Sequence, residues 1–142
     1  MRIDEKIEKL KNDFKALPTW EEKYEKLIEL GKNWPGLPED LRIEDLKVKG
    51  CQSQVWIKAE MTADKKIIFR GDSDALIVRG LVAIALSIYS NETPQTILST
   101  DPVFLKEMGF DSGLSPSRSN GLFSMIKQIK YYATAFQYLL SK

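Results

Sequence analysis

QVWIKAEM (54–61), TADKK (62–66), IIFRGDSD (67–74) and ALIVRGLVAIALSIY (75–89) follow one another without a break, and their changes of period decide the fold. From Gln54 to Met61 the period is two, with Val55, Ile57, Ala59 and Met61 on one face and Gln54, Trp56, Lys58 and Glu60 on a wetter one. Thr62 to Lys65 supplies polar turn residues. Ile67, Ile68 and Phe69 form a second short strand ending at Arg70 and Gly71, so the pair reads as an antiparallel hairpin. Asp72, Ser73 and Asp74 then offer side-chain oxygens to the free amides of a helix start. The segment from Ala75 to Tyr89 is apolar on most sides and is expected to be a central buried helix.

Working outward, Ile3, Ile7, Leu10, Phe14 and Leu17 mark one stripe of an amphipathic helix ending near Pro18. Thr19 with Glu22 reads as a capping box for a second helix, which turns Trp20, Tyr24, Leu27 and Ile28 inward and stops near Gly31. WPGLP (34–38) places Pro35 and Gly36 for a tight turn, and Leu46 to Lys49 is a candidate third strand. Downstream, Thr93-Pro94, Asp101-Pro102 and Ser115-Pro116 repeat one signature, a capping side chain before proline at the first helical position. The last of these helices is the longest, with Leu122, Met125, Ile126, Ile129, Ala133, Phe136 and Leu140 at helical spacing. The expected class is α+β, a small antiparallel sheet of about three strands backed by helices on one side.

Composition bounds the function. The chain has 142 residues with 43% hydrophobic content, which suits one domain spanning residues 1–142. Lys and Arg number 21 against 20 acids, a net charge of +1, so neither nucleic acid nor an anionic membrane is an expected partner. The charged start MRIDEKIEKLKNDF lacks the apolar core of a secretory signal, and the longest apolar run is broken by Arg79, Gly80 and Ser87. One cysteine forms no internal disulfide, and a free thiol persists most easily in a reducing compartment, so a cytoplasmic protein is expected. With no histidine, Cys-His and Ser-His nucleophile pairs and His-containing zinc sites are excluded within the chain. A single thiolate cannot enclose an iron–sulfur cluster, which normally takes four.

The chemistry concentrates in LKVKGCQSQVWIK (46–58). Cys51 follows a glycine and precedes Gln52-Ser53-Gln54, so it belongs on a tight loop, where Gly50 admits backbone angles that a larger residue resists. A lone cysteine is commonly a small buried hydrophobe, but such a residue sits on an apolar periodic face, and Cys51 does not. No acid lies between Leu46 and Ala59, whereas Lys47, Lys49 and Lys58 do, a setting that favours the thiolate.

GCQSQVWI (50–57) resembles the signature octapeptide of the SufE family of sulfur acceptors. GDSDALIVRGLVA (71–83) and LSPSRSNGL (114–122) are similar to two further blocks, and the likeness runs from WEEKYEKLIELG (20–31) through the last helix, with the first helix loosely matched. No signature position departs from the pattern. The resemblance implies a small antiparallel sheet flanked by helices, as in IscU-type cluster scaffolds. It also implies a SufS-like cysteine desulfurase as partner, a persulfide accepted on Cys51, and delivery to a SufBCD-type scaffold for iron–sulfur cluster assembly. No cofactor is expected on this chain, because the pyridoxal phosphate belongs to the desulfurase.

The supporting residues carry open alternatives. Asp74 matches the second acid of the GDSDA block and either caps the following helix, the reading favoured here, or tethers the Cys51 loop; Asp72 is the competing cap. Arg118 stands at the start of the last helix, placed to steady a partner carboxylate or the thiolate, or to form an exposed ion pair. Gly50 shapes the loop, Gln52 and Gln54 are candidates to hydrogen-bond the loop backbone or the partner, and Trp56 is either interfacial or buried. Three functions stay in view: a sulfur carrier, a non-covalent activator of a desulfurase that feeds another acceptor, and a redox sensor forming a sulfenic acid on Cys51. Some shelter of Cys51 in the free protein is also expected, since a persulfide open to ambient thiols would be lost. Monomer and weak homodimer are both compatible with the sequence.

Overall fold

In the computed structural model, which describes residues 1–141, the elements run in chain order α1 (Ile3–Lys15), α2 (Trp20–Asn33), β1 (Val55–Met61), β2 (Ile67–Ser73), α3 (Leu76–Tyr89), α4 (Pro94–Ser99), α5 (Val103–Glu107) and α6 (Pro116–Leu140). The protein is α+β, with a two-stranded antiparallel sheet and helices packed against it. The apolar stripe of α1 lies on the core through Ile3, Ile7, Leu10 and Phe14. The Thr19 hydroxyl accepts the Glu22 amide at 3.1 Å and starts α2, which continues past Gly31 to Asn33. The α3 helix is buried nearly all round, as its composition requires. Gly80 lets it approach α2 so closely that a Cβ there would overlap the Leu27 carbonyl.

The strand register pairs Val55 with Ser73, Ile57 with Gly71 and Ala59 with Phe69. Val55, Ile57, Ile67 and Phe69 are buried in the core, toward α3 and α6. The Tyr132 hydroxyl of α6 donates to the Ile57 carbonyl at 3.0 Å and its ring lies 6.4 Å from that of Phe69, which fixes the crossing of α6 over the sheet. Two residues earlier on α6, Lys130 donates to the carbonyls of Ile97, Leu98 and Thr100, closing the end of α4.

Several details differ from expectation, each for a local reason. The third strand at Leu46 to Lys49 is reduced to an isolated bridge between Lys47 and Trp56, with the Val48 amide donating to Val55 at 2.7 Å. A 3-10 turn over Glu44–Leu46 ends just before it and Gly50 turns the chain just after, so too few residues remain to extend the ladder. The β2 strand runs four residues beyond Phe69, to Ser73, because Arg70, Gly71, Asp72 and Ser73 all find ladder partners on β1. Asp72, Ser73 and Asp74 therefore do not stand at the N-cap of α3, which is Ala75; Ser73 Oγ accepts the Ala75 amide at 3.2 Å instead. Thr93 and Ser115 cap α4 and α6 as expected, but Asp101 does not cap α5, which begins beyond Pro102.

The sheet is also covered on its second face, at one end. Trp56 and Asp72 stand opposite each other there, 5% and 1% exposed, beneath the segment from Trp34 to Val48. Trp56 is thus buried on the face that the alternation marked as wetter, with the Arg42 guanidinium 5.5 Å above its ring. Asp72 accepts the Leu37 amide at 2.9 Å and pairs with Arg42 at 2.6 Å and Arg79 at 3.4 Å. Burial alone would raise its carboxyl, but the Leu37 amide, the Arg42 guanidinium and the Ser73 amide together hold it below the usual carboxylate range. The Trp34 indole donates to Gly71, and Arg79 donates to the Trp34 carbonyl, so this strap is pinned at both of its neighbours.

Candidate functional site

The strap leads directly into the loop that carries Cys51. Its base is closed by the Val48–Val55 bond, and Gly50 turns the chain with φ of +87°, a region costly for any residue with a Cβ. A Cβ at position 50 would also lie 2.7 Å from Ser124 Oγ. Ser124 donates to the Gly50 carbonyl and the Cys51 thiol donates to the Gly121 carbonyl, both at 3.5 Å, so the tip rests on α6 through long, weak contacts. The exit is held more firmly: Asp74 Oδ1 accepts the Gln54 amide at 3.0 Å, and the Asp74 amide donates to the Gln54 carbonyl at 3.2 Å. Of the two roles open to Asp74, the structure displays the tether and not the cap.

Cys51 is half-buried at the edge of a cleft of about 360 Å³, lined also by Gln52, Ser53, Val78, Ser115, Ser117, Arg118 and Gly121. Burial pushes its thiol above the ordinary value. This overturns the expectation that Lys47, Lys49 and Lys58 favour the thiolate. Lys47 turns toward Glu44 at 3.9 Å and Lys58 toward Glu60 at 2.9 Å, while Lys47 and Lys49 line a separate groove with Lys127 and Tyr131. Lysines close in sequence point elsewhere in space, and desolvation decides the proton.

Arg118 is the charged side chain lining the cleft, and among the described residues no carboxylate lies within 4 Å of it. Its guanidinium lies 5.9 Å from the Tyr24 ring centroid, which orients it without neutralising it. It belongs to the first turn of α6, whose N-terminus adds a partial positive charge beside the Ser115 and Ser117 hydroxyls. The cleft thus keeps the resting thiol protonated and offers a positive environment to an anion entering it.

Cys51, Gln52 and Arg118 line this one cleft, while Gly50, Gln54 and Asp74 shape its loop. Gln54 acts through its backbone. Trp56 lies under the strap and away from the cleft. Sequence reasoning missed Gly121 and Ser124, on which the loop rests. With Ser117 they recur at four and three residue steps, a small-residue stripe along one line of α6, and that spacing marks where another segment lies close. No group of three or more potential ligands is placed to hold a metal among the described residues, and no described helix is long and apolar enough to cross a membrane.

The model of the SufE family, described as an Fe-S metabolism associated domain, matches residues 8–133. An uncharacterised SufE-like protein of Rhizobium meliloti (strain 1021) is 44% identical over 128 residues, covering 87% of this chain and 91% of that protein. The fold is similar to the solution structure of a hypothetical protein from Thermus thermophilus, with a TM-score of 0.76 at 21% identity, covering 94% and 96% of the two chains.

Proposed function

This chain belongs to the SufE family, whose domain is associated with iron–sulfur metabolism, and from that premise we propose that Cys51 accepts persulfide sulfur from a cysteine desulfurase. The observation that carries the reading is a half-buried thiol facing a cleft that is positive through Arg118, on a loop whose tip meets α6 through two long hydrogen bonds of 3.5 Å. The Cys51 thiol loses its proton and the resulting thiolate attacks the terminal sulfur of the donor persulfide. A new S–S bond forms at Cys51, the donor's S–S bond breaks, and the donor cysteine leaves as a thiolate that takes up one proton. The sulfane sulfur moves at an unchanged oxidation level, so no oxidant is needed.

The raised pKa makes the free thiol a poor nucleophile at rest. Transfer therefore calls for the loop to leave Gly121 and for water or partner dipoles, with Arg118, to stabilise the thiolate. Turning at Gly50 brings Sγ outward while the Gln54–Asp74 bonds keep the exit of the loop in place. After transfer, the same pocket shields the persulfide from ambient thiols, and the chain holds no second cysteine to displace the sulfur as sulfide. In this reading residues 1–142 act as one carrier domain in the cytoplasm, stimulate the desulfurase by clearing its persulfide, and deliver to a SufBCD-type scaffold. The pyridoxal phosphate stays with the desulfurase.

Incubation with a cysteine desulfurase and L-cysteine, without reductant, is expected to add the mass of sulfur to a peptide containing Cys51. Absence of that gain on a desulfurase the protein demonstrably binds overturns the carrier reading. Cys51→Ser is expected to abolish both the mass gain and most of the stimulation, whereas retained stimulation identifies a non-covalent activator.

A further inference from the structure

The Cys51 cleft does not end at Arg118. A second recess of about 330 Å³ lies on its other side and shares Ser53, Val78 and Arg118 with the first, so the two adjoin along the N-terminal ends of α3 and α6. Its lining changes character along its length. Near Cys51 it is made of hydroxyls, amide and guanidinium; beyond Arg118 it becomes apolar, with Ile28 from α2 and Ala75, Leu76 and Ile77 from the start of α3. Leu76 is 40% exposed, a large aliphatic side chain left facing solvent on an otherwise closely packed helix.

Three properties of this groove point to one kind of occupant. The apolar shelf adjoins the sulfur site, so whatever rests on it is held beside Cys51. Arg118, at the junction, has no acid partner among the described residues, so the groove offers a cation to an incoming carboxylate. The two adjoining recesses, of about 360 and 330 Å³, offer more room than a small thiol fills and suit a stretch of chain. We propose that the shelf formed by Ile28, Leu76 and Ile77 seats an apolar side chain of the sulfur-bearing segment of the donor protein, with a neighbouring carboxylate of that segment on Arg118. This rests on the carrier reading and adds to it what the donor segment must look like: its reactive cysteine is flanked by an aliphatic or aromatic residue and an acid. The aliphatic contact supplies affinity, and the ion pair sets the direction in which the segment lies.

Leu76→Glu tests the shelf at small structural cost. Leu76 opens α3, whose first turn carries no acid and whose N-cap, Ala75, supplies no capping side chain, so a carboxylate there is favourable to the helix. Persulfide formation on Cys51 is followed by mass spectrometry with two donors: a cysteine desulfurase loaded with L-cysteine, and inorganic polysulfide, which needs no shelf. With the desulfurase, the concentration of Leu76→Glu protein giving half-maximal transfer is expected to rise roughly tenfold while the rate at saturation stays within about twofold. With polysulfide, the variant and the wild type are expected to react alike. Leu76→Met, which preserves an apolar contact, is expected to behave as wild type with both donors. An unchanged half-maximal concentration for Leu76→Glu overturns the proposal, and so does an equal loss with both donors, which would signal a disturbed Cys51 loop. Failure of the wild type to acquire sulfur from the desulfurase while reacting with polysulfide overturns the carrier reading itself, and is distinguishable from either result.

Discussion

At position 51 a thiol meets two opposing influences. Burial against α6 raises its pKa, while Arg118 and the first turn of α6 favour any negative charge that forms in the cleft. The folded protein should therefore hold the neutral thiol until the loop opens. Alkylation by iodoacetamide is expected to be slower than that of free cysteine at neutral pH and to keep rising at pH values where free cysteine has levelled off. A rate that levels off below the free thiol would mean that a cation, not desolvation, governs the site. Asp74 gives a second handle. Asp74→Ala removes the acceptor of the Gln54 amide, so the exit of the loop loosens and alkylation is expected to quicken several-fold, with stability falling by only about 1 kcal/mol because the bond is exposed. An unchanged rate would show that the weak contacts to Gly121 and Ser124 alone keep the thiol in place.

Elements are held together at a few points where no other residue type fits. Gly50→Ala forces a left-handed backbone on a residue with a Cβ and drives it onto Ser124, an expected cost of about 1–3 kcal/mol that urea denaturation would register. Because the clash lies in the loop itself, loss of sulfur transfer should accompany it. Gly80→Ala acts at the α2–α3 contact, against the rigid Leu27 backbone, and is expected to destabilise by about 2–3 kcal/mol, read by urea denaturation. Ser115 caps α6 at the mouth of the cleft. Its replacement by alanine is expected to lower stability by about 1 kcal/mol.

Across the whole molecule, the buried Asp72 joins three parts: β2, the strap through Leu37 and Arg42, and α3 through Arg79. Its folded pKa lies below that of an unfolded aspartate, so its contribution is present above about pH 4 and is lost as pH falls through the folded value. Asp72→Asn is expected to cost about 2–4 kcal/mol at pH 7 and to flatten the decline of stability between about pH 5 and pH 2, measured by urea denaturation at each pH. A parallel decline in variant and wild type would assign acid sensitivity to other carboxylates. Since the strap continues into Lys49 and Gly50, the same variant should also loosen the Cys51 loop from its entry side.

The hairpin, the buried α3, the Thr93 and Ser115 caps and the loop position of Cys51 were all legible in residue order, because period, capping and turn chemistry act between residues a few positions apart. The family was legible too, since GCQSQVWI is a local string. What the order of residues could not decide was which groups meet across the fold. Asp72 and Asp74 read equally well as caps, and only the strand pairing that carries β2 to Ser73 placed one under the strap and the other against Gln54. The lysines flanking Cys51 looked like its electrostatic partners, yet the loop turned the thiol toward α6, whose Arg118 stands far along the chain. Charge and desolvation depend on distance through space, and that distance exists only once the helices have packed.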